Sequence, residues 1–387
     1  MKRVVVVTPF LKAGGGPPGY SYNLWKGYST TEAPSKYKLS FASLLFEGRH
    51  AVVGTSGSKA KGDREADGIV RRLKASRLWK VARLCKTGTR NFRWNAQIRG
   101  ADLVVFQGYQ ETKFLDVAIG AGRKIVYMPH SPSIMADEIR MFRTAAGTEC
   151  TDNEYAAYLE TERSFFKAAD WVVFPSPGAS EEYRKAFHAE LRVCKTAYIA
   201  SGISPSDQAK DTPPLEEGFV VLFAGRYVSH KGYDLFCEAA DLLASKEEAI
   251  TFCSVGGGDA VRGANVVDLG WRDDIYTYLK AADLIAVPNR VAYYDLLPLE
   301  CAYLGKPMVM TQVGGNVDQL AELPDTIPIS NVSAQALATA VLQARSKIFA
   351  EGDFGAKNAE AYAKYFNAQA FWGRWDAFLQ GALETVA

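Results

Sequence analysis

The chain has 387 residues, 48% of them hydrophobic and 23% charged, with 33 glycines and 16 prolines. Such a composition excludes disordered, fibrous and linker-like chains, and the length fits two domains or one large one. Lys and Arg number 45 against 43 Asp and Glu, a net charge of +2, which argues against a polyanion binder by overall charge.

Read in chain order, Met1-Lys2-Arg3 leads into Val4–Val7, an apolar run too short for a signal peptide and without a small-residue cleavage site. It reads as a buried strand. The stretch from Gly14 to Gly19, with Pro17 and Pro18 inside it, reads as a loop, and Tyr20 to Tyr28 as the helix after it. Leu103–Phe106, Lys124–Met128 and Trp171–Phe174 are further short apolar runs, each followed by Gly, Pro or Ser. Continuous rather than alternating runs predict strands covered on both faces, hence a parallel α/β sheet. After a polar, proline-bearing stretch at Ser204–Gly218 the pattern restarts with Phe219–Phe223, a helix over Tyr233–Ser245, and Ala249–Val255 running into Gly256-Gly257-Gly258. Asn265–Leu269, Leu284–Val287 and Met308–Met310 complete a second set of strands. The expected architecture is α/β: two Rossmann-like, doubly wound parallel-sheet domains facing a cleft, joined near 203–217. From Asn358 onward, aromatics recur at helical spacing (Tyr362, Phe366, Phe371, Trp372, Trp375, Phe378), the pattern of a helix packed on a domain.

Nothing approaches an uncharged apolar run of about 18 residues, so no transmembrane helix is expected. The six cysteines (Cys85, Cys150, Cys194, Cys237, Cys253, Cys301) include no CxxC pair, which fits buried thiols in a reducing cytosol rather than zinc sites or a disulfide framework. One local anomaly is charge. Gly68 to Gly100 holds ten Lys or Arg (Arg71, Arg72, Lys74, Arg77, Lys80, Arg83, Lys86, Arg90, Arg93, Arg99) and no acidic residue, with Trp79, Phe92 and Trp94 interleaved. A solvated helix with one core face is one reading; a surface for anionic lipid head groups or a phosphate-bearing acceptor is the other. No base-reading motif accompanies the run, so nucleic acid is not expected.

Two stretches carry the chemistry. In Val220–Gly232, VVLFAGRYVSHKG, a strand runs into a turn at Gly225. Arg226 stands at its C-terminal edge, where ligands of open α/β sheets bind, and Lys231 stands just before a helix. Two cations beside a glycine turn and a helix N-terminus make a diphosphate site. In Pro288–Gly305, PNRVAYYDLLPLECAYLG, Glu300 falls at the start of a helical stretch, where a carboxylate either favours the helix dipole or accepts ribose hydroxyls. Gly256-Gly257-Gly258-Asp259 is not GxGxxG, and Pro17-Pro18 stand where that motif would enter a helix, which argues against a dinucleotide-binding dehydrogenase. Asp273-Asp274 precede a helix rather than follow a strand, so no obligatory metal is expected.

Taken in order, VVLFAGRYVSHKGYDLF, FCSVGGGD, VDLGWRDDIYTYLKAADLIAVP and LLPLECAYLGKPMVMTQVGGN resemble the C-terminal half of GT-B glycosyltransferases, specifically retaining family 4 (glycosyl transferases group 1). The resemblance implies an acceptor-binding domain at 1–202, a nucleotide-sugar-binding domain at 203–365, and a helix at 366–387 that crosses back to the first. It implies that Gly225, Arg226 and Lys231 grip the donor diphosphate, that Glu300 binds the ribose, and that Leu296 and Leu297 line the donor site. Gly14, Gly15 and Gly16 match the glycine-rich loop that approaches the donor, and His130, in YMPHSPS, matches the acceptor-side histidine. The first glutamate of the family's E-x7-E motif would fall at 292; this chain has Ala292 there, and Asp295 replaces a usual glycine. Asp295 is expected to take over a sugar contact. The implied reaction moves a sugar from a nucleotide-sugar, UDP favoured over GDP, to a glycan or lipid-linked acceptor in polysaccharide or cell-envelope glycan synthesis. The implied location is the cytoplasm, with peripheral contact at the membrane face through 68–100. A nucleotide-sugar 2-epimerase and a non-catalytic nucleotide-sugar binder are the alternatives; Ala292 favours the second, and the Arg226, Lys231 and Glu300 set argues for donor binding in either case.

Overall fold

A computed structural model describes residues 1–8, 10–14, 16–31, 36–43, 90–108, 112–145, 147–205, 215, 218–245, 249–258, 260 and 262–384. The basic run up to residue 89, Gly15 and most of 204–217 lie outside these.

Two six-stranded sheets organise the chain, and every strand pair in them is parallel. The first sheet contains β1 (Lys2–Val7), β2 (Tyr37–Ala42), β3 (Leu103–Gln107), β4 (Lys124–Met128), β5 (Trp171–Phe174) and β6 (Lys195–Tyr198), in the order β2-β1-β3-β4-β5-β6. The second contains β7 (Phe219–Arg226), β8 (Ile250–Gly257), β9 (Val266–Asp268), β10 (Leu284–Val287), β11 (Met308–Thr311) and β12 (Thr326–Ile329), in the order β12-β11-β10-β7-β8-β9. The unbroken apolar runs are what a sheet covered by helices on both faces requires. Two core clusters lie on the two faces of each sheet, one pair built on Val5, Val104 and Phe106 or Val4, Val6 and Val105, the other on Val221 and Phe223 or Val220 and Leu222.

Strand order reverses direction between β1 and β3 in the first sheet and between β7 and β10 in the second. Chains leaving adjacent strands on opposite sides of such a switch point leave a crevice at the strands' C-terminal ends, where ligands of open α/β sheets bind. In the second sheet that crevice is bounded by the segments after β7 and after β10, which are the two stretches that carry the sequence signals.

Several element limits differ from the sequence expectation. The first helix spans Gly16–Thr30, so Pro17 and Pro18 are helical rather than loop. Proline is tolerated in a first turn because its missing N–H would be unpaired there anyway. Strand β7 continues through Gly225 and Arg226, and β8 through Gly256 and Gly257, so the glycines are paired strand residues and not a turn. Gly225 and Gly256 lie opposite each other, and a Cβ on Gly256 would overlap the Gly225 carbonyl.

The final helix, Ala368–Glu384, leaves the second domain and packs on the first. Phe371, Trp372, Trp375, Leu379 and Ala382 join Val4, Val6, Tyr20 and Val105 in one cluster, and Trp375 Nε1 donates to the buried Tyr20 hydroxyl at 2.8 Å. Arg374 clamps this crossing by donating to the Ala200 carbonyl from Nε (3.1 Å) and Nη2 (2.8 Å). Of the basic run, the described part is a helix over 90–99 in which Trp94 is buried against Phe114 and Phe92 is exposed. Of the cysteines, Cys237, Cys253 and Cys301 are buried, whereas Cys150 and Cys194 are only partly so.

Candidate functional site

The segment after β7 places its cations by a short turn. Ser229–Lys231 forms one 3-10 turn, closed by Gly232 in the left-handed region at φ +72°, and the helix Tyr233–Ala244 begins there. Arg226, the last strand residue, is exposed and donates from Nη2 to His230 Nε2 at 3.2 Å. An arginine has no acceptor, so His230 accepts through a neutral ring. Burial, together with the neighbouring Arg226 and Lys231 charges, lowers His230 to about 4, consistent with that role. Lys231 reaches the other side of the crevice. Its Nζ lies 2.5 Å from Asp295 Oδ2, which also accepts from Asn289 Nδ2 at 2.7 Å. Burial by itself would raise the Asp295 carboxyl, but Lys231 and Asn289 more than offset this and hold it below the ordinary carboxylate range.

Arg290 stitches the two segments together. It donates bidentately to Asp234, Nη1 to Oδ1 at 2.5 Å and Nη2 to Oδ2 at 2.8 Å, and Nη1 also donates to the Ser229 carbonyl at 2.7 Å. The Arg290 amide donates to the His230 carbonyl at 2.9 Å. Such a fork fixes relative position as well as charge. Lys231 and Asp295 therefore face each other across a braced gap. Gln319 Nε2 completes the brace by donating to the Asp295 main-chain carbonyl at 2.8 Å.

Glu300 sits on the short helix Leu297–Tyr303, half-buried, with the Tyr276 hydroxyl 3.4 Å from Oε1. Burial raises its carboxyl to about 7. Leu296 is buried next to Gly19 of the first domain, and Leu297 begins the Glu300 helix, packed partly against the same core. Ala292 is buried, and its carbonyl accepts from the Gly315 amide at 3.1 Å. The residue at 292 thus presents a methyl group and no acceptor.

Several contacts join the first domain to the second. Tyr293, two positions before Asp295, crosses from the second domain into the first domain's core, where its hydroxyl donates to the Pro129 carbonyl. Its ring lies 6.3 Å from that of His130 and 6.5 Å from that of Tyr183, and Tyr20 closes the other side of His130 edge-on at 4.8 Å. Enclosure holds His130 down at about 3, hence neutral, and leaves its Nε2 buried without a partner among the described residues. The Gly178 amide donates to Asp318 Oδ2 at 2.8 Å, and Asn23 Oδ1 accepts from the Ser204 amide at 2.9 Å. Gly14 and Gly16 flank the start of the first helix at positive φ (+125° and +68°), and Gly14 O packs so closely on Gly19 that no side chain fits between. Gly15 lies outside the described residues.

The structure thus pairs Lys231 with Asp295, sets Arg226 against His230 on the same segment, places Glu300 with Tyr276 on the helix after β10, and packs His130 of the first domain beside Tyr293. Sequence reading missed Asn289, Arg290, Asp234, Tyr276 and Tyr293. Arg290 and Asp234 are 56 positions apart, and nothing local to either signals the pair. Tyr293 and Tyr294 side by side in a loop after a strand were a readable oddity, since exposed loop tips rarely carry two tyrosines. Among the described residues no group of three or more His, Cys, Asp or Glu is placed to hold a metal ion.

Residues 218–346 match the family described as Glycosyl transferases group 1. A lipopolysaccharide core biosynthesis glycosyltransferase, LpsE of Rhizobium meliloti, is 28% identical over 165 residues, covering 40% of this chain and 48% of its own. Sucrose-phosphate synthase from Thermosynechococcus elongatus superposes with a TM-score of 0.63 at 15% identity over the whole of both chains. HepE from Anabaena, in complex with UDP-glucose, superposes with a TM-score of 0.59 at 16% identity over 98% of this chain and all of its own. The chain spans about half the length of the curated relatives it matches. It has the GT-B fold, and the residues that match the family model, 218–346, hold its second sheet.

Proposed function

We propose that this GT-B protein is a retaining glycosyltransferase whose donor, a nucleoside-diphosphate sugar, binds in the crevice between the β7 and β10 segments. The observation that carries this reading is what stands on the segments flanking the switch point: exposed Arg226 and braced Lys231 after β7, and the partly buried Glu300 carboxylate after β10. Cleaving an anomeric carbon–oxygen bond to phosphate releases negative charge onto the departing diphosphate. Fixed positive charge aimed at that oxygen stabilises the transition state, and a preorganised pair does so without reorganisation. Arg226 brings a planar fork and Lys231 a point charge with three donors, so the leaving group is neutralised without an obligatory metal. Gly225 lets the diphosphate approach the strand end. Glu300 accepts from the ribose hydroxyls, replacing the long contact to Tyr276. Leu296 and Leu297 cover the donor, Gly14–Gly16 approach its sugar, and His130 orients the acceptor from the first domain. UDP is favoured because HepE, which shares the fold, holds UDP-glucose. The LpsE likeness supports a glycan or lipid-linked acceptor in envelope polysaccharide synthesis, with the basic 68–100 run making peripheral contact with an anionic membrane at its cytoplasmic face.

This reading carries a pH test. A donor whose ribose hydroxyls bind the ionised Glu300 carboxylate competes with the proton that the free protein holds at about 7. Affinity should therefore rise with pH, by up to roughly tenfold per unit below that value, and level off above it. Calorimetric titration of an NDP-sugar between about pH 6 and about pH 8 checks this, because its diphosphate diester does not titrate in that range. Glu300→Gln should flatten the profile. A wild-type profile as flat as the variant's would remove Glu300 from the ribose site.

A further inference from the structure

Asp295 stands where it can do more than balance a lysine. Its position is fixed from three directions: Oδ2 by Lys231 and by Asn289, and its carbonyl by Gln319. The side chain is nevertheless about a quarter exposed, at 24%. Its Oδ1 takes no hydrogen bond among the described residues. A part-exposed carboxylate with one oxygen pinned and the other without a hydrogen bond among the described residues is a preorganised acceptor. Ala292, three residues earlier, offers none. Glu300, the other carboxylate after β10, lies 3.4 Å from the Tyr276 hydroxyl.

Resting on the donor-site reading above, we propose that Asp295 selects the donor sugar: its Oδ1 accepts a hydrogen bond from one hydroxyl of the transferred sugar, while Oδ2 stays on Lys231. The two halves of the donor are then read through one ion pair. Lys231 is shared between the diphosphate and Asp295, so the sugar contact and the diphosphate grip are coupled. Two consequences follow from the chemistry. Removing the carboxylate frees the Lys231 ammonium and removes a negative charge beside the diphosphate, so bare nucleoside diphosphate binds as well or better. A sugar hydroxyl loses its charged acceptor, so discrimination among donor sugars falls.

The test is a cycle on the full-length protein. Donor turnover is followed by proton NMR with the best donor and with each single-deoxy analogue of it, in wild type, Asp295→Ala and Asp295→Asn. Affinity for the nucleoside diphosphate is measured alongside. For one deoxy donor the wild type should lose about 10- to 100-fold in kcat/KM, and Asp295→Ala should lose a similar factor on the parent donor yet no more on that analogue. Asp295→Asn, which preserves shape and the Asn289 neighbourhood, should fall between, and both variants should bind nucleoside diphosphate at least as tightly as wild type. Losses that add for every deoxy donor, or a variant whose nucleoside diphosphate affinity drops in parallel with turnover, would overturn the assignment and leave Asp295 as a brace for the loop. Failure of the wild type to bind any nucleotide would overturn the donor-site reading itself, and this inference with it.

Discussion

Lys231→Ala should lower donor turnover by about 10²- to 10³-fold, and Arg226→Ala by a comparable factor, mostly in kcat. In the proposed function each removes a charge aimed at a leaving diphosphate, which gains its full negative charge only as the anomeric bond breaks. Lys231 should be the costlier of the two. Its loss leaves the Asp295 carboxylate with Asn289 as its one remaining side-chain hydrogen-bond partner among the described residues, facing the phosphates it would otherwise share a cation with. A second substitution separates these contributions. Lys231→Ala/Asp295→Ala should bind nucleoside diphosphate more tightly than Lys231→Ala, because the unpaired carboxylate is gone, yet turnover should not return. Arg226→Ala has no such partner effect, since Arg226 contacts a neutral histidine. Steady-state rates with the preferred donor and calorimetric affinities for its nucleoside diphosphate measure both. Equal affinities for nucleoside diphosphate in the single and double variants would show that Lys231 and Asp295 do not share the bound phosphate.

Gly232→Ala should unfold the second domain at a temperature lower by roughly 10 °C, from a loss of about 3–5 kcal/mol. Two causes combine. Gly232 lies at φ +72°, where an L side chain costs about 1–2 kcal/mol. A Cβ there would also overlap the Pro288 carbonyl oxygen and come within 2.7 Å of its carbon, and Pro288 opens the segment that carries Asn289, Arg290 and Asp295. The backbone atoms on both sides belong to braced turns, so the overlap is relieved only by parting the β7 and β10 segments. Surviving folded protein should therefore have lost donor affinity as well. Gly373→Ala is the matched control. That glycine is exposed in the final helix with nothing within 4 Å of its Cβ position, so alanine should stabilise by up to about 1 kcal/mol. Thermal melts followed by far-UV circular dichroism distinguish the two.

The parallel sheets were legible because buried strands of this kind are written as unbroken apolar runs. Val4–Val7, Leu103–Phe106, Leu284–Val287 and Met308–Met310 each fall inside a strand of the structure. What went unread were mostly the sheet edges. Strand β2 alternates polar and apolar residues, β6 is Lys-Thr-Ala-Tyr, and β12 contains a proline; edge and near-edge strands need not be apolar on both faces and tolerate a missing donor. Gly225 read as a turn and Gly256 as the end of a strand because a glycine usually marks a break, whereas here they let two paired strands run close together. Within the candidate site, the cations and Glu300 were visible because each sits at the end of a recognisable strand or the start of a helix. The Lys231–Asp295 ion pair spans 64 positions and the Tyr293–Pro129 bond 164. The first depends on how the segments after β7 and β10 meet over one sheet, the second on how two domains close, and no local pattern encodes either.

That closure also shapes what His130 can do. Tyr293 packs near it from the second domain and the histidine Nε2 is buried, so an acceptor reaches that nitrogen only when the surrounding groups move, as when the domains part.

The most direct measurement is proton NMR of the full-length protein incubated with UDP- and GDP-sugars, beside the Arg226→Ala/Lys231→Ala variant. The donor crevice and its two cations predict slow release of the α-sugar from one donor, absent in the variant. Release of the β-anomer would contradict retention, a sugar epimerised at its second carbon would mark a different reaction, and no interaction with any nucleotide-sugar would contradict the donor site itself.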